Sequence, residues 1–489
     1  MRRVGIWASH KGLGALLALM MSALLPAGAG AATIDVPGDY ATIQAAVNAA
    51  SAGDEIHVAA GFFTEQVHVT KNDISIVGAG LGSTVIQCPT GTLAQSFTTG
   101  ANTNYPIVFA DGVTGFSLSG LTVDGDRQGN ANYRFIGVAF WNSSGWMQDV
   151  KVLRITNNPI SGAQHGVGVY AYNNAPGSYS VSLTDVWIED YQKNGTALMG
   201  DGLTVDLLRV TAVGWGPTEV TAQNGIQIGY GAAATVRDCV VSDHMYTGSG
   251  WASTGILLYG ASGTVSVVDC ELTDNFPSVY LLDGDATFTR TKIAHGDADA
   301  GDGFYAYNST SAFRGEAVRA LPSPFDERED YPRRRGDMAV ALDACEVIGN
   351  SAADSWGVGG FGTGSMGVDL TITGSIVSGW DYGVLSYYNG SSYPAPVHLT
   401  LHDCDLSGNT SAAVAHLYDA QVADASGNWW GASTPAGVAA RIYGPVDYTP
   451  WLHSGSNTAD PGFQGDFSVL WVDDDSPQTG ATGRIQEGI

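Results

Sequence analysis

Val236-Arg-Asp-Cys239-Val-Val, Val267-Val-Asp-Cys270-Glu-Leu, Leu342-Asp-Ala-Cys345-Glu-Val and Leu401-His-Asp-Cys404-Asp-Leu are one pattern written four times. The slot held by cysteine in these copies falls on Leu121, Val150, Val186, Val210, Thr291 and Ser375 in others. Successive slots lie 21 to 36 residues apart, except for one step of 54 from Thr291 to Cys345. A period of this size marks a solenoid or an array, because so short a unit cannot bury its apolar face alone.

Each copy is written in strand alternation and broken by a polar turn, such as Ser242-Asp-His244, Thr273-Asp-Asn275 or Ser407-Gly-Asn409. A second strand often opens with glycine and an aliphatic residue, as in Gly225-Ile-Gln-Ile228, Gly255-Ile-Leu-Leu258 and Gly383-Val-Leu385. No copy has room for a long helix. Strands that recur without helices between them pair with their equivalents in the next copy, so the pattern predicts an all-β, single-stranded parallel β-helix with coils about 4.8 Å apart. The cysteine slot then faces inward. Buried free thiols are expected there, the alternative being a disulfide between neighbouring coils such as Cys239 with Cys270.

Composition supports this reading. The 489 residues include 65 glycines and are 44% hydrophobic but only 14% charged, which disfavours coiled coils and wholesale disorder alike. A net charge of −27 repels phosphate backbones and excludes nucleic acid as a partner. Met1-Arg-Arg3, an apolar run from Leu13 to Leu25 and a small-residue stretch ending at Ala29 and Ala31 read as a signal peptide over residues 1–31. Export to the cell surface or medium is expected, with no membrane insertion after the signal is removed. Residues 32–453 form the solenoid. An insertion at 313–337, containing Arg333-Arg-Arg335, occupies the 54-residue step.

Val36-Pro-Gly-Asp-Tyr-Ala-Thr-Ile-Gln44, with Gly53-Asp-Glu-Ile-His-Val58, Phe62-Phe-Thr-Glu-Gln-Val67 and Ile74-Ser-Ile-Val-Gly78, resembles the opening of the pectin-lyase-like superfamily. The likeness is to secreted bacterial right-handed parallel β-helix proteins whose first coil is similar to that of pectin methylesterases. It implies a short helix over residues 43–50 capping the open end of the solenoid. Gly427-Asn-Trp-Trp-Gly431 and Gly444-Pro-Val-Asp-Tyr-Thr-Pro-Trp-Leu452 resemble the closing segment of the same proteins. The Asp-Phe-Ile-Phe-Gly element of the esterases has no counterpart, so the resemblance implies fold rather than esterase chemistry.

Arg290-Thr-Lys292-Ile-Ala-His295-Gly-Asp297-Ala-Asp299-Ala-Gly-Asp302 concentrates groups suited to acting on a uronate polymer. With Thr291 and Ile293 inward, Arg290 and Lys292 project outward as candidate bases, and Asp297, Asp299 and Asp302 offer oxygen ligands for Ca²⁺. A solvated acidic turn beside an ordinary surface pair is the alternative. His398 and His402 share a strand face but lack a third metal ligand in sequence.

The second strands carry an aromatic three residues after a first apolar position: Tyr170 from Val167, Tyr259 from Ile256, Tyr307 from Phe304, Phe361 from Val358 and Tyr387 from Val384. Alternation turns these five outward, as a stripe suited to stacking on sugar rings; a bend after the second residue would instead tuck them in. The whole reads as an exported β-helix that binds or processes polysaccharide, lyase-like if catalytic. Its rival is a non-catalytic surface or adhesion protein. Arg484-Ile-Gln486 repeats the logic of Thr42-Ile-Gln44, so residues 454–489 read as a linker and the start of a second cap in a longer protein, poorly ordered from about 454 onward.

Overall fold

The computed structural model describes residues 31–249, 251–296, 301–308, 336–390, 394–418 and 420–477. The rest of the signal segment, Asp297 and Asp299, the insertion up to residue 335, and residues 478–489 lie outside the described residues.

The chain winds as the expected right-handed parallel β-helix, with three strands in a typical coil. One coil contains Asn224–Gly229, Ala233–Arg237 and Val240–Ser242, and the next contains Thr254–Tyr259, Thr264–Val268 and Glu271–Thr273. Register is kept coil to coil, with Ile226 on Ile256, Val236 on Val267 and Val241 on Leu272. First strands stack into a 14-stranded sheet, here sheet 1, and the other two share a larger one, sheet 2, folded along a corner. Inward residues of both sheets fill one continuous core.

The corner inside sheet 2 explains the repeated hexapeptide. The residue before each slot is in the left-handed region: Asp149, Asp185, Asp238, Asp269 and Asp403 all lie between φ 51° and 58°. Aspartate and glycine tolerate that conformation, which is why Asp precedes cysteine so often. The slot side chains are buried, and all five cysteines are free thiols. Cys239, Cys270, Cys345 and Cys404 each donate to the carbonyl two residues earlier at 3.1 to 3.4 Å. Thr291 and Ser375 do the same with their hydroxyls, at 3.2 and 2.8 Å. A small side chain with a donor therefore satisfies a carbonyl exposed by the bend, and thiol and hydroxyl are interchangeable there.

The turns after sheet 2 bury asparagines. Asn275, Asn409 and Asn428 donate to Val241, Val377 and Leu401 carbonyls at 2.8 to 2.9 Å and accept from the main-chain N–H of His244, Trp380 and Cys404. Each amide ties its coil to the one before.

Helix α1 (Ile43–Ala49) covers the first coil, one residue shorter than expected. Thr42 caps it by accepting from Ala45 N–H, and the Glu65 carboxylate accepts from Ile43 and Gln44 N–H at 2.9 and 2.8 Å. Ile43, Ala46 and Val47 point into the core.

Residues 454–477 correct an expectation, since they pack instead of trailing as a linker. Leu470–Trp471 pairs antiparallel with Trp451–Leu452, Phe463 donates its N–H to Gly374, and Phe463 and Ser476 are buried. Phe463 is the anchor, while Phe467, Val469, Trp471 and Val472 stay exposed.

Candidate functional site

Sheet 1 turns one face to the core and the other outward, and its strands are set in register by glycine. Gly137, Gly168, Gly195, Gly225, Gly255, Gly303, Gly357 and Gly383 come one above another. A Cβ on any of them would lie 2.4 to 2.7 Å from a backbone carbonyl of the next coil. Ser278 takes the same place between Gly255 and Gly303, and Ala413 takes it above Gly383, so the ladder holds glycine or a small residue. The residue after each glycine points inward, and the outward side chains follow at the second and fourth positions beyond the glycine.

This ladder relocates one predicted residue. Tyr259, Leu282, Tyr307, Phe361 and Tyr387 form one outward row, with Ile256, Phe304, Val358 and Val384 inward as expected. In the earlier copy Val169, not Val167, follows the glycine, and Val167 itself faces out. The true equivalent there is Tyr172, while Tyr170 belongs to the neighbouring outward row with Ala139 and Ala197. Tyr170 is fully buried, with Phe97 of the hairpin arm Phe97–Thr99 stacked on it at 5.7 Å. Contrary to expectation, Tyr170 has no ring face to offer a sugar, because Phe97 covers it.

The other four rings face outward together, in a patch richer than sequence suggested. The neighbouring row adds Tyr280 and Tyr305, which stack at 5.6 Å, and Tyr305 stacks in turn on Phe361 at 5.5 Å. Phe361 meets Tyr387 at 5.8 Å, and Trp356 stands edge-on to Tyr305 at 5.3 Å. Phe361 is 7% exposed, whereas Tyr259, Tyr305, Tyr307, Trp356 and Tyr387 are half-buried. Gly359 leaves the space between Tyr305 and Leu385 that the Trp356 and Phe361 rings fill. The repeat at one position per strand does not reveal Tyr305 and Trp356, because the other outward positions of sheet 1 carry rings without a regular spacing.

Asp302 lies at the edge of this patch, two residues before inward Phe304. Its carboxyl accepts from the Tyr305 hydroxyl at 2.8 Å and from Trp356 N–H at 3.2 Å. Burial pushes the carboxyl up to about 7, against the lowering influence of those two donors. Trp356 Nε1 has no hydrogen-bond partner among the described residues.

Arg290 and Lys292 are elsewhere. Arg290 occupies the left-handed corner of sheet 2, where its guanidinium grips both oxygens of Asp269 at 2.7 Å, and Lys292 pairs with Glu271 at 3.4 Å. The Arg290 bond holds the Asp269 carboxyl below the usual range and raises Arg290 further, the wrong direction for a base. The structure thus does not bring Arg290 and Lys292 together with Asp302, which belongs to the edge of sheet 1. Of the three aspartates expected to hold Ca²⁺, Asp302 alone is described, and its oxygens are already bonded to Tyr305 and Trp356. His398 meets Asp369 at 2.6 Å, with Asp337 close by.

No family model matches this sequence, and no curated protein is similar to it by sequence. Among solved structures, the chain is similar to the A-module of the mannuronan C-5 epimerase AlgE4 of Azotobacter vinelandii at 14% identity. That alignment covers 76% of this chain and 95% of the other, with a TM-score of 0.41. The A-module of AlgE6 from the same organism gives 16% identity, 73% and 92% coverage, and a TM-score of 0.41. The pectate lyase Pel9A gives 9% identity, 92% and 94% coverage, and a TM-score of 0.32. Similarity at this level concerns the path of the chain, and no residue's role is carried across.

Proposed function

We propose that the protein is an exported, polysaccharide-binding β-helix whose binding face is the outward side of sheet 1 from Tyr259 to Tyr387. The observation that carries this reading is the set of mutually braced, half-buried rings at Tyr305, Tyr307, Trp356 and Tyr387. Rings fixed by their neighbours lose little entropy on binding, and their exposed faces match the apolar faces of sugar rings. Half-exposed Tyr259, Tyr307 and Tyr387 recur at every second coil of one row, about 10 Å apart, which suits an extended polymer better than a compact ligand. The corner ion pair of Arg290 and Asp269 reads as support for the fold, so a lyase-type base at Arg290 or Lys292 forms no part of this proposal.

Retention on polysaccharide affinity gels tests it. Tyr307→Ala with Tyr387→Ala should reduce retention by at least tenfold, since each stacked ring contributes about 0.5–1.5 kcal/mol beyond its buried area. The melting temperature should hardly change. Tyr170→Ala should lower the melting temperature and leave per-molecule retention intact. Unchanged retention of the folded double variant would defeat the proposal.

A further inference from the structure

Outward acids of sheet 2 are repeatedly tied to a cation of a neighbouring coil: Asp206 meets Arg237 at 3.0 Å, Glu189 meets Lys151 at 2.7 Å and Glu271 meets Lys292 at 3.4 Å. Where Met338–Asp343, Val368–Thr373 and Val397–His402 stack, acid meets acid instead. Asp369 lies in register with Ala339 on one side and His398 on the other. Asp337, two residues before Ala339, comes close to the same pair, so that one oxygen of each carboxylate and a ring nitrogen of His398 lie within 4.8 Å of one another. Among the described residues no lysine or arginine pairs with Asp337 or Asp369. Two carboxylates are thus held together with only an imidazole between coils to offset them. The backbone fixes this arrangement. Gly367 N–H donates to Asp337 Oδ1 at 2.7 Å, and a Cβ on Gly367 would lie 3.1 Å from that oxygen. The Asn308 amide donates to the Gly336 and Gly367 carbonyls at 3.1 and 2.7 Å, which ties the two coils together beside Asp337.

We propose that Asp337, Asp369 and His398 bind one divalent first-row transition-metal cation, such as Zn²⁺, as a clip across three successive coils. Two carboxylates balance the charge of a divalent ion, and the imidazole favours a borderline metal over Ca²⁺ or Mg²⁺, which prefer oxygen ligands alone. His398 Nδ1 and Asp369 Oδ1 already approach to 2.6 Å, with one hydrogen between them. The cation takes the place of that hydrogen, which moves to Nε2 and leaves the imidazole neutral. Metal–ligand bonds of about 2.0–2.2 Å require the two atoms to part by under about 1 Å. Asp337 keeps one oxygen on Gly367 and gives the other to the metal. With three protein ligands at an exposed position, the remaining coordination falls to water. His402, on the same strand face, takes no part, because it meets Asp424 at 3.4 Å and the Ser426 carbonyl at 3.0 Å. The site belongs to sheet 2, not to the ringed face of sheet 1, so it stands apart from the polysaccharide reading.

Titration calorimetry of the chelator-treated full chain with Zn²⁺ tests the site. Wild type should bind one Zn²⁺ there, and His398→Gln, Asp369→Asn and Asp337→Asn should each weaken that binding at least about tenfold. Asp337→Asn is the decisive variant, since it keeps an acceptor for Gly367 N–H and loses only the oxygen offered to the metal. His57→Gln, which removes an exposed histidine paired with Glu55, should leave the binding unchanged. Two further readouts are independent of calorimetry. Co²⁺ should give a visible absorption band in wild type that His398→Gln abolishes, and Zn²⁺ should raise the melting temperature of wild type but not of Asp369→Asn. Equal Zn²⁺ affinity in wild type and in folded His398→Gln or Asp337→Asn overturns the proposal. So does the lack of one-to-one binding by wild type, or tighter binding of Ca²⁺ than of Zn²⁺ at these residues.

Discussion

His244 shows how much a single buried polar residue is asked to do. Its Nδ1 donates to Asn275 Oδ1 at 2.7 Å, which leaves Nε2 to accept from the Tyr191 hydroxyl, and all three side chains are inside the coil. Burial lowers the imidazole to about 4, so it is neutral in the fold and free to charge, near 6.5, only in the unfolded chain. Between those values the unfolded state binds more protons. The stability His244 contributes is therefore present above about pH 6.5 and lost as pH falls toward 4, by roughly 3 kcal/mol at most. Urea denaturation from pH 7 to pH 4 should show this slope, and His244→Gln should reduce it, leaving the share that buried His165, also lowered to about 4, contributes. Tyr191→Phe leaves Nε2 without a donor and should cost about 1–3 kcal/mol at pH 7. The cysteine slots stand at the other extreme. Because Ser375 makes the same contact as Cys404, Cys404→Ser should change the denaturation midpoint by an amount equivalent to under about 1 kcal/mol.

At the scale of the element, glycine and aspartate mark the two places where a strand of this fold has no freedom. Gly225→Ala would set its Cβ 2.4 Å from Val241 Cγ1 and 2.6 Å from the Gly255 carbonyl. Both neighbours are core or backbone, so neither can yield, and the substitution should cost about 3 kcal/mol or prevent folding. Gly263→Ala, at an open turn with φ +64°, meets nothing within 4 Å. It carries only the backbone penalty and should cost about 1–2 kcal/mol. Thermal denaturation of the two variants side by side checks the contrast. The Asp-Cys corner was legible in sequence as a repeat, and so was the glycine that opens many sheet 1 strands. Their reasons were not. A left-handed φ and a carbonyl one coil away are properties of stacking, and only the latter shows that Val169 rather than Val167 begins the inward count.

Across the whole molecule, the long sheets separate a continuous interior from an outward face whose two halves differ. Near Tyr170 the hairpin bearing Phe97 covers the rings, whereas from Tyr259 to Tyr387 they remain partly open. The final described segment lies along the solenoid, and chymotrypsin digestion under native conditions should spare residues 454–477. Rapid loss of that stretch with the solenoid intact would contradict the pairing of Trp471 with Trp451. By itself the sequence determined the parallel β-helix, its period, its helical cap and the inward cysteines. The strands, the period and the inward slots follow from alternation and repeat, which are local and periodic along the chain, whereas the cap followed from the resemblance of the first coil. For Tyr259, Tyr307, Phe361 and Tyr387 the sequence left two readings, an outer row or rings tucked in by a bend, and the register of sheet 1 chose the outer row. Only the tertiary structure decided that Tyr170 is covered, that Arg290 is tied to Asp269, and that Asp302 meets Tyr305 and Trp356. Contacts of that kind depend on which coil, loop or hairpin comes to rest against a face, and no regular spacing in the chain records it.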